Sequence, residues 1–301
     1  MLVRLLGSAA GGGIPQWNCG CRQCTGARSG IIEKRTQCSV AVSADGGRWV
    51  LINASPDLRS QLLCFPAQPA PGRRETPIEA VLLTDADLDH ILGLFLLRES
   101  NTELLIHASK AIRKAVEEGL RLTEVLDKYC GIRWLEAPLD FAPLFCSDGS
   151  ASGLEYKGIE IQGPSPRYQR MGQNCPHIAY ILRELNKAKS VLIAPGVATL
   201  EPQLLAELNR ADSVFFDGTF WSSDDFQKSG VADPSSTGEL LRSHLPICTG
   251  SLKTLAGAPA KQKVYLHINN TNPVLWNDSS ERKQLDGFGI QVAVDGMEFE
   301  L

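Results

Sequence analysis

Four side chains able to bind a metal fall within six residues in Thr84-Asp85-Ala86-Asp87-Leu88-Asp89-His90. Carboxylates and imidazole are ligands for hard and borderline divalent cations. The stretch follows the apolar run Ala80-Val81-Leu82-Leu83 and precedes Ile91-Leu92-Gly93-Leu94-Phe95-Leu96-Leu97. Charge this dense beside a core is costly unless something neutralises it, and a bound cation would do so. The plainer reading is a solvated acidic turn in which Asp87 or Asp89 caps a helix beginning near Leu88. Alternation favours a metal: an extended backbone sets Asp85, Asp87 and Asp89 on one side, with His90 reaching in from the adjacent turn.

Distant residues must complete such a site. His267 ends the apolar run Val264-Tyr265-Leu266 and precedes Ile268-Asn269-Asn270-Thr271-Asn272-Pro273. Asp217 ends Ser213-Val214-Phe215-Phe216 and precedes Gly218-Thr219. His177 follows Asn174-Cys175-Pro176, and His244 lies in Arg242-Ser243-His244-Leu245-Pro246. Each alone is commonly structural, but polar residues gathered at strand ends are what an α/β site shows.

A second cluster lies near the start of the chain. Cys19, Cys21 and Cys24 form C-x-C-x-x-C beside glycines. Thiolates at this spacing converge on one cation without strain, and tetrahedral zinc with Zn–S bonds of about 2.3 Å is the usual outcome. A redox pair or unrelated loop thiols are the alternatives. The fourth ligand must come from far along the chain or be water. Nine cysteines, unevenly spaced, make a poor disulfide framework.

The elements that position these residues alternate β-like runs with helical stretches. Strands are expected over 2–6, 39–43, 49–53, 80–84, 104–107, 158–162, 178–182, 190–194, 213–217, 264–268 and 290–294. Helices are expected over 56–64, with Ser55 as N-cap, and over 88–98, 110–128, 199–209 and near 236–244. Asp45-Gly46-Gly47 reads as a hairpin turn, and 68–76 and 164–175 as surface loops. Two packed sheets with outer helices fit this pattern, in one domain over 1–301 with a zinc-binding loop at 17–26. Thirty Lys plus Arg balance 34 Asp plus Glu, with no basic stripe to bind nucleic acid. No apolar run reaches the roughly 18 residues of a membrane span, and the N-terminus lacks a secretory layout. A cytoplasmic protein is expected.

The strand, Asp-x-Asp-x-Asp-His and helix pattern resembles the His-x-His-x-Asp-His motif of the metallo-β-lactamase superfamily, with Asp85 and Asp87 in place of the first two histidines. More closely, the chain resembles the B family of pyrroloquinoline quinone (PQQ) biosynthesis. The matching segments are 6–19, Asn53-Ala54-Ser55-Pro56-Asp57, 88–94, Asp217-Gly218-Thr219, 267–273 and Asp295-Gly296-Met297. This resemblance implies an αββα sandwich with its metal site at one edge, and a structural zinc on Cys19, Cys21 and Cys24. Related phosphodiesterases complete that zinc with a His three residues past the last active-site His, a position that Asn270 holds here. The resemblance also implies Fe(II)- and O2-dependent hydroxylation of the tyrosine ring of a Glu–Tyr-derived precursor. Older descriptions of the family make it a carrier or exporter of the cofactor. His244 is the acid/base by analogy, Asp85 and Asp217 orient ligands or take protons, and Asp87 and His177 are further candidate ligands. Other proteins of the pathway and a second copy of the chain are the candidate partners.

If Asp85 and Asp87 do not ligate, Asp89, His90 and His267 remain. Two His and one carboxylate are the facial set of non-haem Fe(II) oxygenases, with open positions for dioxygen and a phenol. A dinuclear hydrolytic zinc site needs more imidazole than the five His here supply, with His107 lying apart from the motifs. Three readings therefore stand: an iron oxygenase, a carrier of PQQ or its precursor, and a metallohydrolase.

Overall fold

The computed structural model describes residues 1–169, 175–187, 189–231 and 243–301. Among the described residues the Val-, Ile- and Leu-rich runs form fourteen strands in two sheets of seven. The first sheet takes β1 (Leu2–Gly7), β2 (Ser39–Ser43), β3 (Trp49–Ile52), β4 (Ile78–Leu82), β5 (Leu104–Ala108) and β6 (Ile132–Glu136). The second takes β7 (Ala142–Phe145), β8 (Ala151–Ile161), β9 (His177–Glu184), β10 (Ser190–Ala194), β11 (Ser213–Asp217), β12 (Gln262–Leu266) and β13 (Gln291–Val292). The last strand, β14 (Glu298–Glu300), returns to pair with β1 in the first sheet.

The two sheets share one pattern. Read from β14, the first has three antiparallel pairings and then three parallel ones. Read from β7, the second repeats it. β4 and β11 hold the same place in their sheets, and the residues that follow them carry the chemistry.

Side-chain alternation makes the layers. Phe215 packs with Leu51, Val81, Ile106 and Tyr180 between the sheets. Its neighbour Phe216 faces outward onto Leu204, Leu252 and Leu285 from the flanking helices. Burying both faces is the arrangement that parallel strands require. The result is the αββα sandwich of two mixed sheets. Among the described residues no helix is long and apolar enough to cross a membrane.

Several elements differ from their sequence pattern. The helix expected over 56–64 begins only at Leu58, with Asp57 at its N-cap position. Ser55 instead donates its hydroxyl to Gln61 Oε1, 3.2 Å away. The helix expected over 88–98 is α-helical only at Leu88–Ile91 and tightens into a 3₁₀ helix over Leu92–Glu99. The Gly93 N–H leaves the ladder for Ala54 O, 2.8 Å away. A Cβ on Gly93 would lie 2.2 Å from Ser55 O and 2.6 Å from Ala54 O, so glycine allows this contact. The stretch 110–128 breaks at Arg121, which turns left-handed with φ 52°. Sequence pattern overlooked β6, β7, the first half of β8 and β14, which are edge or half-exposed strands whose apolar pattern is interrupted by charge, Pro or Gly. It also overlooked the helices Arg22–Arg28 and Ser280–Gly287. The helix expected near 236–244 lies largely outside the described residues, as does part of the 164–175 loop.

His107, at the end of β5, is buried, with Nδ1 2.5 Å from Tyr156 Oη. Burial disfavours its charged form and lowers its pKa to about 4. The unfolded ring titrates near ~6.5, so between these values the unfolded state binds a proton that the folded state refuses. This residue therefore costs stability as pH falls from about 6.5 towards 4, and nothing above that window. Chemical denaturation across pH 4 to 7 should show a shallower acid decline for His107→Gln. Equal pH slopes in the two chains would show that His107 is not the source.

Candidate metal centre

The turn after β4 is held from below. Asn53 ends β3 in a left-handed conformation, φ 63°, which Asn tolerates better than most residues. Its Oδ1 accepts the Thr84 N–H at 2.9 Å, and its Nδ2 donates to Thr84 Oγ1 at 2.8 Å. Thr84 Oγ1 donates to Asp85 Oδ2 at 2.8 Å. Both Asp85 oxygens lie 2.7 Å from His90 Nδ1, and Oδ1 also accepts the Asp87 N–H. Asp85 therefore fixes one His90 proton on Nδ1 and leaves Nε2 as the nitrogen that a metal would bind in place of the ring's second proton. That Nε2 is buried and has no hydrogen-bond partner.

Extended alternation does not describe this turn. Asp85 is buried against His90, whereas Asp87 and Asp89 line a cavity of about 520 Å3. Asp87 stands at the start of the short helix but makes no side-chain cap. The carboxylates shape the local charge. Burial opposes a charge on His90, but Asp85 and Asp89 outweigh it and raise its pKa to about 10. Burial tends to raise Asp85, yet His90 holds it well below the usual carboxylate range. Burial, then Asp85 and Asp89, push Asp87 up to about 7.

The opposite wall comes from the ends of β11 and β12. Asp217 Oδ2 accepts the Val197 N–H at 2.8 Å and lies 2.6 Å from His244 Nδ1. Its Oδ1 accepts the Thr219 N–H at 2.9 Å and the Thr219 hydroxyl at 2.6 Å. Thr219 Oγ1 in turn lies 2.8 Å from His267 Nδ1, so it accepts that ring's proton while giving its own to Asp217. His267 follows β12 at φ 58°, a strained conformation for a ring-bearing residue. Its Nε2 is buried without a partner and lies 3.5 Å from Asp89 Oδ2; His90 Nε2 lies 3.8 Å from the same atom.

Donor atoms of Asp89, His90 and His267 thus lie within 4.8 Å of one another, brought from turns far apart in sequence. One carboxylate between two imidazole nitrogens that lack partners suits a divalent transition metal. Asp217, His244 and His267 also lie within 4.8 Å. There, however, Asp217 already accepts hydrogen bonds on both oxygens, and both Nδ1 atoms face Asp217 or Thr219. Asp87 and His177 enter neither group among the described residues. His177 Nε2 instead faces Pro164 O at 3.3 Å, and its ring packs against Gly163 and Gly196. Sequence reasoning missed Thr219 as the link between Asp217 and His267, and Asn53 as the support of Thr84. The Asp217-Gly218-Thr219 string was visible, but a hydroxyl carries no ligand signal of its own.

The thiol cluster adjoins this cavity. Cys19, Cys21 and Cys24 sulfurs lie within 4.8 Å of one another. Cys21 Sγ caps the helix Arg22–Arg28 by accepting the Cys24 N–H. The Arg28 guanidinium binds the carbonyls of Gln16 and Cys19 at 2.6 Å. Burial, then the neighbouring thiols, push Cys21 up to about 12, a penalty that a bound cation would reverse. The Asn270 amide Nδ2 lies 3.1, 3.7 and 3.3 Å from the sulfurs of Cys19, Cys21 and Cys24. Asn270 therefore stands where a fourth ligand would, and a half-turn of its amide presents Oδ1.

Residues 48–268 match the model of the β-lactamase superfamily domain. Coenzyme PQQ synthesis protein B of Methylococcus capsulatus is 40% identical over 312 residues, covering 100% of both chains. The chain belongs to the coenzyme PQQ synthesis protein B family. The Cupriavidus necator member is also 40% identical, over 99% of each chain. Among solved structures, the zinc-bound family member from Methylobacterium extorquens superimposes with a TM-score of 0.88 at 34% identity, covering both chains fully.

Replacing Cys19, Cys21 and Cys24 together with Ser should remove one zinc per chain and lower the melting temperature, because a structural zinc contributes directly to folding. Retention of both would show that the thiols hold no metal. At the imidazole site, His267→Ala should abolish metal binding with little change in melting temperature. Asp85→Asn should weaken it by about 10- to 100-fold, as loss of a ligand-orienting partner does. Metal stoichiometry and melting temperature measured on one His267→Ala sample decide the matter; full occupancy would exclude His267 as a ligand.

Proposed function

We propose that this chain acts in PQQ biosynthesis, the role its relatives' names carry, by hydroxylating the tyrosine ring of a Glu–Tyr-derived precursor. The reading rests on the two buried, unpartnered Nε2 atoms of His90 and His267 on either side of Asp89. Asp89, His90 and His267 would hold an iron(II), which when bound would supply the redox chemistry toward dioxygen and a phenol that no side chain can. Asp85 keeps the His90 tautomer, and Asp217 acts through Thr219 to keep that of His267. Phe220, Phe226 and Val231 offer the cavity an apolar wall for an aromatic ring. His244 lines the same cavity with Nδ1 anchored on Asp217, which leaves Nε2 to take a proton from the substrate. Zinc in the Methylobacterium extorquens relative supports metal binding by the family.

A hydrolase would need a second metal at Asp217, His244 and His267, where hydrogen bonds already occupy both Asp217 oxygens and both Nδ1 atoms. Reconstitution with iron(II) without air, followed by Glu–Tyr dipeptide, a two-electron reductant such as ascorbate and then air, should add one oxygen atom of O2 to the ring by mass spectrometry, the other being reduced to water. His244→Ala should slow turnover by about 10²- to 10⁴-fold with iron content unchanged. Dipeptide bound tightly by the iron protein with no oxygen consumed would replace this reading with that of a carrier.

A further inference from the structure

The cavity beside Asp89 and His267 is lined by one Lys or Arg among the described residues, Arg167. It sits on the loop that leaves β8, and the loop is tied down. Pro164 O meets His177 Nε2 at 3.3 Å, and the Gln169 N–H turns back to Pro166 O at 2.9 Å. Tyr168 Oη donates to Ala86 O at 2.6 Å, inside the Asp-x-Asp-x-Asp-His turn. The Tyr168 ring lies so close to Gly119 that a Cβ there would stand 2.6 Å from Cδ2. A loop of the second sheet is thereby fastened to the first, and it carries Arg167 to the cavity mouth. Arg167 also lines an adjoining cavity of about 400 Å3, again with Asp87 and Asp89.

The walls differ in character. Phe220 and Phe226 pack with ring centroids 5.2 Å apart on one side, and the carboxylates of Asp87 and Asp89 face the cavity elsewhere. A substrate anion entering here meets repulsion from both aspartates unless a fixed cation receives it. A guanidinium matches a carboxylate with two parallel hydrogen bonds and holds it in one orientation. We propose that Arg167 is the specificity residue that binds a substrate carboxylate and so sets an aromatic ring between Phe220 and the Asp89–His90–His267 centre. Tyr168 acts as its positioning residue. The proposal rests on the oxygenase reading for the ring but concerns binding alone.

Glutamyl-tyrosine and its carboxylate-free counterpart glutaminyl-tyrosinamide are the probes, titrated calorimetrically into the iron(II) protein without air. The full chain should bind the acid about tenfold or more tighter than the amide. Arg167→Gln should bring the two within about twofold while amide binding stays put, and Arg167→Lys should keep part of the preference. Tyr168→Phe should weaken acid binding alone. Undiminished preference for the acid in Arg167→Gln would overturn the assignment, as would equal binding of both probes, or of neither, by the full chain. An Arg167 that serves only to offset the charge of Asp87 would keep the acid preference whole in Arg167→Lys, and that result would overturn the assignment too. Acid preference lost in Arg167→Gln, with no oxygen added in air, would sustain the carboxylate site and reject the oxygenase.

Discussion

A buried imidazole has two ring nitrogens to account for, and at His90 and His267 the chain accounts for one each. Nδ1 is taken by Asp85 or Thr219, while Nε2 is left bare beside Asp89. Much of the surrounding structure serves that asymmetry. Asp85 can stay charged in the interior only because His90, Thr84 and the Asp87 N–H surround it. Thr84 is held by Asn53, which the end of β3 sets at a positive φ. On the far side His267 accepts a left-handed backbone, a strain of about 1–3 kcal/mol, so that its ring turns inward. Such strain persists where neighbours over-determine it; here Gly218 N–H on Leu266 O and Ile268 N–H on Ser8 O clamp the chain at 2.8 and 2.9 Å.

The two metal-capable clusters are not independent parts. His267 to Asn272 runs from the imidazole site to the thiol loop in six residues. Along the way Asn269 N–H meets Thr219 O, Asn270 meets the sulfurs, and Gln23 Nε2 donates to Thr271 O. Gln16, Asn18, Cys19 and Gly20 form part of the cavity wall that Asp89 and His267 share. The thiol loop therefore also shapes the cavity beside Asp89 and His267.

The sequence made the central strands and the candidate ligands legible for the same reason. Interior strands such as β10 and β11 are continuous apolar runs, and polar residues just beyond them stand out. Edge strands carry weaker signals: β6 mixes Arg133 and Glu136 with apolar residues, and β7 contains Pro143. Asp89, His90 and His267 were readable by type, whereas the separate duty of Asp85 was not. Alternation treated Asp85, Asp87 and Asp89 as equals, but the helix that begins at Leu88 ends the extended backbone on which that argument depends, and Asp85 turns to the Asp87 N–H and His90. Thr219 was invisible as a link because its meaning arises only when two strand ends lie side by side. The place of Asn270 came from kinship rather than spacing, and the geometry around its amide gives it a physical basis.

The matching halves bear on the order in which the protein is made. Asp89 and His90 lie in the first sheet's half of the chain, and His267 arrives only near its end. A nascent chain that has built its first sheet presents two donors and an unpaired edge at β1, because β14 is the last strand to emerge. Contacts so distant in sequence slow folding and leave that edge waiting. The site cannot select its metal while the chain is being synthesised. A metal held by all three residues would be selected by the almost finished protein, from whatever ions surround it at that moment.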